Sequence, residues 1–139
     1  MNKRVLSLLV DNTSGVLSRI AGLFSRRGYN IDSLTVGETA DPRYSRMTVV
    51  VNGDDKILDQ ITKQLAKLVD VVDIKPLADN ESVSRELVLV KVRADGQNRQ
   101  AIIGITDIFR AKIIDVGIDS LIIELTGNQS KIDAFIRLL

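Results

Sequence analysis

Six residues hold most of the polar chemistry this chain can offer: the turn Asp11-Asn12-Thr13-Ser14-Gly15 and a second asparagine, Asn30. The chain of 139 residues has no His, no Cys and no Trp. Zinc sites built from His and Cys are therefore impossible, as are thiol nucleophiles, disulfides and His-based triads. Carboxylates, Lys, Tyr and hydroxyls remain as candidate catalysts. Glu38, Asp41, Asp54 and Asp55 come nearest to a carboxylate cluster. Their spacing reads as a hairpin loop and a helix N-terminus, where acids are expected. No paired acid and base stands out, and no nucleophile has an activating partner. What the turn offers instead is binding. A strand that passes through Asn and Gly onto a helix N-terminus points unpaired backbone N–H groups at one spot, which suits a small carboxylate. Each residue also has an ordinary structural reading: Gly15 as a turn that needs positive φ, Asn12 and Ser14 as helix caps.

The elements that must position this turn follow from hydrophobic periodicity. Residues 5–10 read as a strand. Residues 15–27 read as a helix, with Val16, Leu17, Ile20, Leu23 and Phe24 in one apolar stripe and Gly28 as its stop. Residues 31–38 and 47–51 read as strands joined by the polar loop 39–45. The next helix shows Ile57, Leu58, Ile61, Leu65 and Leu68 on one face, and residues 69–77 close the unit as a strand. A polar segment, 78–84, reads as a linker. The rhythm then restarts with a strand over 87–92, a turn over 94–97 and a helix over 101–110 whose inward face is Ile102, Ile105, Ile108 and Phe109. Strands over 113–116 and 121–125 and a helix over 128–139 follow.

Weak internal similarity supports a repeat. Leu23-Phe24-Ser25-Arg26 aligns with Ile108-Phe109-Arg110, and the segment from Gly53 to Ile57 aligns with that from Gly127 to Ile132. The expected fold class is α+β: two tandem ferredoxin-like βαββαβ units, each an antiparallel sheet with two helices on one face. The domains are 1–77, a linker at 78–84, and 85–139. The second unit ends in its last helix without a final strand, so the chain is expected to have lost its C-terminus.

With 45% hydrophobic and 27% charged residues the chain buries an ordinary core. The absence of Cys excludes a disulfide-stapled secreted scaffold. A net charge of +1 argues against a broad basic surface for nucleic acid. RNA-binding domains that share the βαββαβ order stack bases on aromatics in their central strands, and the strands here carry none. The apolar run after Met1-Asn2-Lys3-Arg4 is too short for a signal peptide or a membrane span. A soluble, cytoplasmic protein is expected.

Both faces of the first sheet carry apolar residues, since Leu6, Leu8 and Val10 alternate with Val5 and Leu9, and Val49 and Val51 with Val50. Two helices cover one face only, so self-association is expected. In a βαββ unit the chain near Asn30, at the start of the neighbouring strand, lies at the opposite end of the sheet from Asn12. Two chains paired edge to edge, antiparallel, would bring one chain's Asn12 turn to the other's Asn30. A pocket shared by two subunits follows.

LSLLVDNTSGVLSR over 6–19 resembles the opening of the ACT domain. GLFSRRGYNIDSLTV over 22–36 is similar to the small regulatory subunits of acetohydroxyacid (acetolactate) synthase. SRMT over 45–48, QLAKLVDV over 64–71, RELVLVKV over 85–92 and FRAKIIDV over 109–116 fit the same family. The resemblance implies a non-catalytic chain without cofactors. Its partner would be a catalytic subunit carrying thiamine diphosphate, magnesium and FAD, which this chain activates and makes sensitive to valine. It implies a homodimer through the ACT domains, with the effector between two copies: Asn12, Ser14, Gly15, Val16 and Leu17 of one chain facing Asn30 and Ile31 of the other. A stand-alone amino-acid sensor serving another enzyme is the alternative.

Overall fold

A computed structural model describes residues 3–139. The chain divides into compact units over residues 1–82 and 83–139. In the first, β1 (Lys3–Asp11), α1 (Val16–Arg26), β2 (Ile31–Glu38), β3 (Tyr44–Asn52), α2 (Asp55–Ala66) and β4 (Val71–Leu77) follow in order. The sheet runs β2-β3-β1-β4 with all neighbours antiparallel. β3 thus separates β2 from β1, which corrects the expectation that Asn30 begins a strand beside the first one. β2 runs parallel to β1, one strand removed, because each pairs antiparallel with β3.

Alternation along β1 and β3 builds the core. Leu6, Leu8 and Val10, with Met47, Val49 and Val51, have at most 1% of their surface exposed and meet Val16, Ile20, Phe24, Ile61 and Leu65 of the helices. Each fully buried side chain of this size contributes about 1.5–3 kcal/mol of transfer free energy. The opposite face, with Val5, Leu9 and Val50, is half-buried. Leu68 packs on the core from the turn after α2 rather than from the helix, and Val69, expected in a strand, stands 93% exposed before β4 begins.

The second unit contains β5 (Glu86–Arg93), α3 (Arg99–Ile108), β6 (Lys112–Val116), β7 (Ser120–Gly127) and α4 (Gln129–Leu138), with sheet order β5-β7-β6. A single 3₁₀ turn, Asp79–Glu81, lies in the segment read as a linker. Both units are ferredoxin-like, the second with three strands. Leu121, Ile123, Leu125, Ile132 and Phe135 form its core, and the Phe109 and Phe135 rings meet edge to face at 5.2 Å. Ile108, expected to face inward, is 78% exposed. α3 starts two residues earlier than expected, and its buried stripe is Ile102 and Thr106, one turn apart, with the Thr106 hydroxyl donating to the Ile102 carbonyl.

The two units repeat each other in their caps. α1 ends with the Gly28 N–H on Ser25 O and the Tyr29 N–H on Phe24 O; α3 ends with the Arg110 N–H on Asp107 O and the Ala111 N–H on Thr106 O. Phe24 therefore corresponds to Thr106 and Gly28 to Arg110, three residues away from the alignment of Phe24 with Phe109 read from sequence. Asp54 and Asn128 cap α2 and α4 alike, accepting from the Ile57 and Lys131 N–H groups. At the paired C′ positions Gly28 has φ 74° and Arg110 has φ 56°. A non-glycine residue there costs about 1–2 kcal/mol, of which the greater unfolded-state freedom of glycine returns part. Arg110→Gly is expected to stabilise the second unit by about 0.5–1 kcal/mol in thermal unfolding, and Arg110→Ala to leave it near wild type. Equal midpoints for Gly and Ala would contradict the strain.

Candidate functional site

β1 delivers the chain into the turn, and α1 opens at Val16 with Gly15 as its N-cap residue, φ 87° and ψ −8°. No side chain caps this helix, so Asn12 and Ser14 do not serve as caps. The Val16 N–H reaches Thr13 O only at 3.5 Å, the long limit of a hydrogen bond. The head of α1 therefore keeps donor capacity and the positive end of the helix dipole.

Asn12 has a different task. Its backbone N–H donates to Arg43 O (2.8 Å), its Nδ2 donates to Pro42 O (2.9 Å), and its Oδ1 accepts from the buried Ser45 hydroxyl (3.1 Å). These bonds tie the β1–α1 turn to the β2–β3 hairpin. They also fix the amide so that oxygen, not nitrogen, lies on the Ser45 side, and one lone pair of that oxygen stays available. On the β4 side Arg19 Nε pairs with Asp70 Oδ2 at 2.6 Å, and the Asp11 N–H donates to Asp70 O at 2.9 Å. That ion pair holds the Arg19 guanidinium pKa above its ordinary value, chiefly through the hydrogen bond to Asp70. The hairpin is closed by Asp41, whose carboxylate takes the Arg43 guanidinium and backbone N–H and titrates below the usual range for that reason.

A cavity of about 150 Å³ opens beside the turn. Asp11, Asn12, Thr13 and Ser45 supply its polar lining; Val10, Val16, Leu17, Val36 and Met47 supply its apolar lining. The structure thus brings together Asn12, Val16 and Leu17 of the expected set, with Ser14 and Gly15 in the adjoining turn. Asn30 and Ile31 lie elsewhere in the chain. Ile31 pairs with Val51, which pairs in turn with Arg4 at the far end of β1, roughly 23 Å of strand from Asp11. There the Asn30 Nδ2 donates to Asp32 Oδ1 at 2.8 Å. Val36, Ser45 and Met47 were missed because they come from β2 and β3, and only the register sets them against the turn. Alternation about the apolar 47, 49 and 51 was the available signal for Ser45 and Met47.

The second unit closes the corresponding place. Its Ala94 N–H donates to Asp119 O as that of Asn12 does to Arg43 O. Here the Asp95 carboxylate accepts from the Gln97 and Asn98 N–H groups at 2.8 and 3.1 Å, and Arg99 Nη2 donates to Ala94, Gly117 and Ile118 carbonyls. The chain's own carboxylate and cation occupy the donors and acceptors of that turn. Among the described residues no group of three or more acids could hold a metal ion, and no helix is long and apolar enough to cross a membrane.

Two outcomes are expected from this geometry. Asn12→Ala removes the Pro42 bond and leaves the buried Ser45 hydroxyl without its acceptor, so denaturant unfolding should show a loss of about 1–3 kcal/mol. Wild-type stability would mean the tie carries no load. Asp95 has its carboxyl pKa lowered, first by the Gln97 N–H and then by that of Asn98. Its contribution is complete above the unfolded-state pKa and is lost as pH falls through the lower folded value. Carboxyl NMR titration should find its midpoint below the ordinary Asp value, and Asp95→Asn should flatten the acid limb of the stability profile.

Residues 6–73 match the family model described as AHAS small subunit-like ACT domain, and residues 85–139 that described as small subunit of acetolactate synthase. The chain is 54% identical over 134 residues to the acetolactate synthase small subunit of Mycobacterium avium, covering 96% of this chain and 80% of that one. It is 52% identical over 137 residues to the acetolactate synthase small subunit of Haemophilus influenzae, covering 99% and 84%. The crystal structure of the acetolactate synthase small subunit from Thermotoga maritima superposes with a TM-score of 0.92 at 48% identity, over 100% of this chain and 87% of that one.

Proposed function

The chain belongs to the family of acetolactate synthase small subunits, and on that premise we propose that it is a non-catalytic regulatory subunit that takes valine between two copies of its first unit. In this reading it docks on a catalytic subunit, raises its activity, and lowers it again when the effector binds. Thiamine diphosphate, magnesium and FAD belong to that partner. Family membership supports the regulatory role, and one observation carries the effector site. A cavity with both polar and apolar lining opens at an uncapped helix head, beside the exposed edge strand β2.

The backbone N–H groups of Gly15 and Val16 take the effector carboxylate, while the free lone pair of Asn12 Oδ1 accepts from the ammonium. Leu17 and the neighbouring apolar wall take the branched tail. The second chain follows from the sheet edge. Seven of the eight residues of β2 are exposed, and the strand carries neither Pro nor Lys. The opposite edge, β4, holds Lys75 and Pro76, residues that discourage pairing. Antiparallel pairing of two β2 edges sets the Ile31 end of one chain beside the Val36 end of the other, where the cavity opens. Asn30 and Ile31 then close the pocket from the second subunit, with the Asn30 carbonyl oxygen turned to the ligand.

Gly15→Asp sets a side chain on backbone at φ 87°, with its Cβ 3.0 Å from Arg19 Nη1, and so disturbs the head of α1; it is expected to cut valine affinity by at least about tenfold, or 1.4 kcal/mol. Asn30→Ala should weaken it as well. Mixed dimers of the two variants regain one intact site of two, which titration calorimetry counts directly. Recovery of no site on mixing would rule out the shared pocket, and wild type without saturable valine binding would rule out the effector.

A further inference from the structure

The cavity beside the Asn12 turn has a buried floor and a half-open mouth, and its mouth is framed by two apolar side chains from separate elements. Leu17, in the first turn of α1, is 46% exposed, and Val36, on the edge strand β2, is 45% exposed. Val36 lies on the helix-covered face of the sheet, because its register partner is Met47, which has 1% of its surface exposed. Met47 pairs in turn with the fully buried Leu8. The row Leu8–Met47–Val36 therefore carries the core out to the sheet edge, where the helices stop covering it.

The floor cannot deepen to suit a longer ligand. Val10, Val16 and Met47 are at most 3% exposed and belong to the packed core, so moving any of them opens a void elsewhere. The polar groups stand around Asn12 and Ser45, so a bound amino acid lies with its tail toward Val36 and Met47. This chain supplies about 150 Å³ of the site, open at the mouth. A branched tail seated on this floor runs toward Val36, and each added methylene extends it against that side chain.

We propose that Val36, seated on Met47, is the specificity-determining residue of this site and selects the short branched tail of valine over the longer tail of leucine. The assignment rests on the effector reading above. A methylene added to or removed from an apolar slot changes discrimination by roughly tenfold or more. Titration calorimetry of wild type, Val36→Ala and Val36→Leu with valine and with leucine tests it. Both variants change a half-exposed edge position and keep the fold, which circular dichroism checks. Val36→Ala is expected to move the valine-to-leucine affinity ratio about tenfold toward leucine, and Val36→Leu to lower valine affinity by about the same factor. A purely structural or associative role for Val36 scales both ligands together and leaves their ratio alone. A ratio within about twofold of wild type in Val36→Ala therefore overturns the proposal, whatever the absolute affinities. Wild type binding neither amino acid overturns the effector reading instead.

Discussion

The hydrogen bond from the Asn12 N–H to the Arg43 carbonyl joins two segments that both leave the sheet at the same end, and the cavity exists because they are joined. β1 ends at Asp11 and β3 begins at Tyr44, its register partner, so the turn after one and the hairpin before the other meet. Without a tie, each would be a mobile surface loop with its backbone groups solvated separately. With it, and with the Asn12 side chain on Pro42 and Ser45, the head of α1 is aimed at a fixed place above Val10 and Met47. The Arg19–Asp70 pair ties α1 to the turn that precedes β4, and the Asp11 N–H donates to the Asp70 carbonyl. Binding to a site held from both sides costs little loop ordering.

The second unit uses the same bond, from Ala94 to Asp119, but fills the place beside it with its own side chains. The contrast isolates what makes a site. Frame and caps are shared, down to the paired hydrogen bonds at the ends of α1 and α3. The second sheet has three strands rather than four, and at the turn the side chains differ. Neither α1 nor α3 has a side chain bonding at its N-cap position, but where the first unit has Gly15 the second has Asp95 accepting from the Gln97 and Asn98 N–H groups and Arg99 bridging three carbonyls. A turn that satisfies its own donors and acceptors has no unmet hydrogen bonding to give.

The two edges of the first sheet differ in the same practical way. β4 holds Lys75 and Pro76, whereas β2 has neither Lys nor Pro, its charges Asp32 and Glu38 lie toward its two ends, and Leu34 and Val36 stand half-exposed on the side that elsewhere packs against helices. The exposed edge strand β2 therefore lies beside the cavity, with Val36 belonging to both.

Much of this was readable along the chain, because local signals are enough for it. The alternation of Leu6, Leu8 and Val10, the stripe from Val16 to Phe24 and the glycine stop at Gly28 specify strand, helix and end without reference to anything distant. The βαββ order and the repeat followed from them, as did the turn that carries Asn12 and Gly15. Other matters depend on which strand lies beside which. Only the tertiary structure put β3 between β1 and β2, set Ser45 against Asn12, and carried the core through Met47 to Val36. Register is a relation between segments tens of residues apart, and one residue of slip turns every side chain to the other face. The same holds for the correspondence of Gly28 with Arg110, while Ile108 stands in solvent because it lies about 120° around α3 from the buried Ile102. Sequence by itself determined which chemical groups the chain has and lacks, with no His or Cys for chemistry that needs them, since residue types are local facts. The shape of the cavity, and the strand whose side chain closes its mouth, were decided by packing across the sheet.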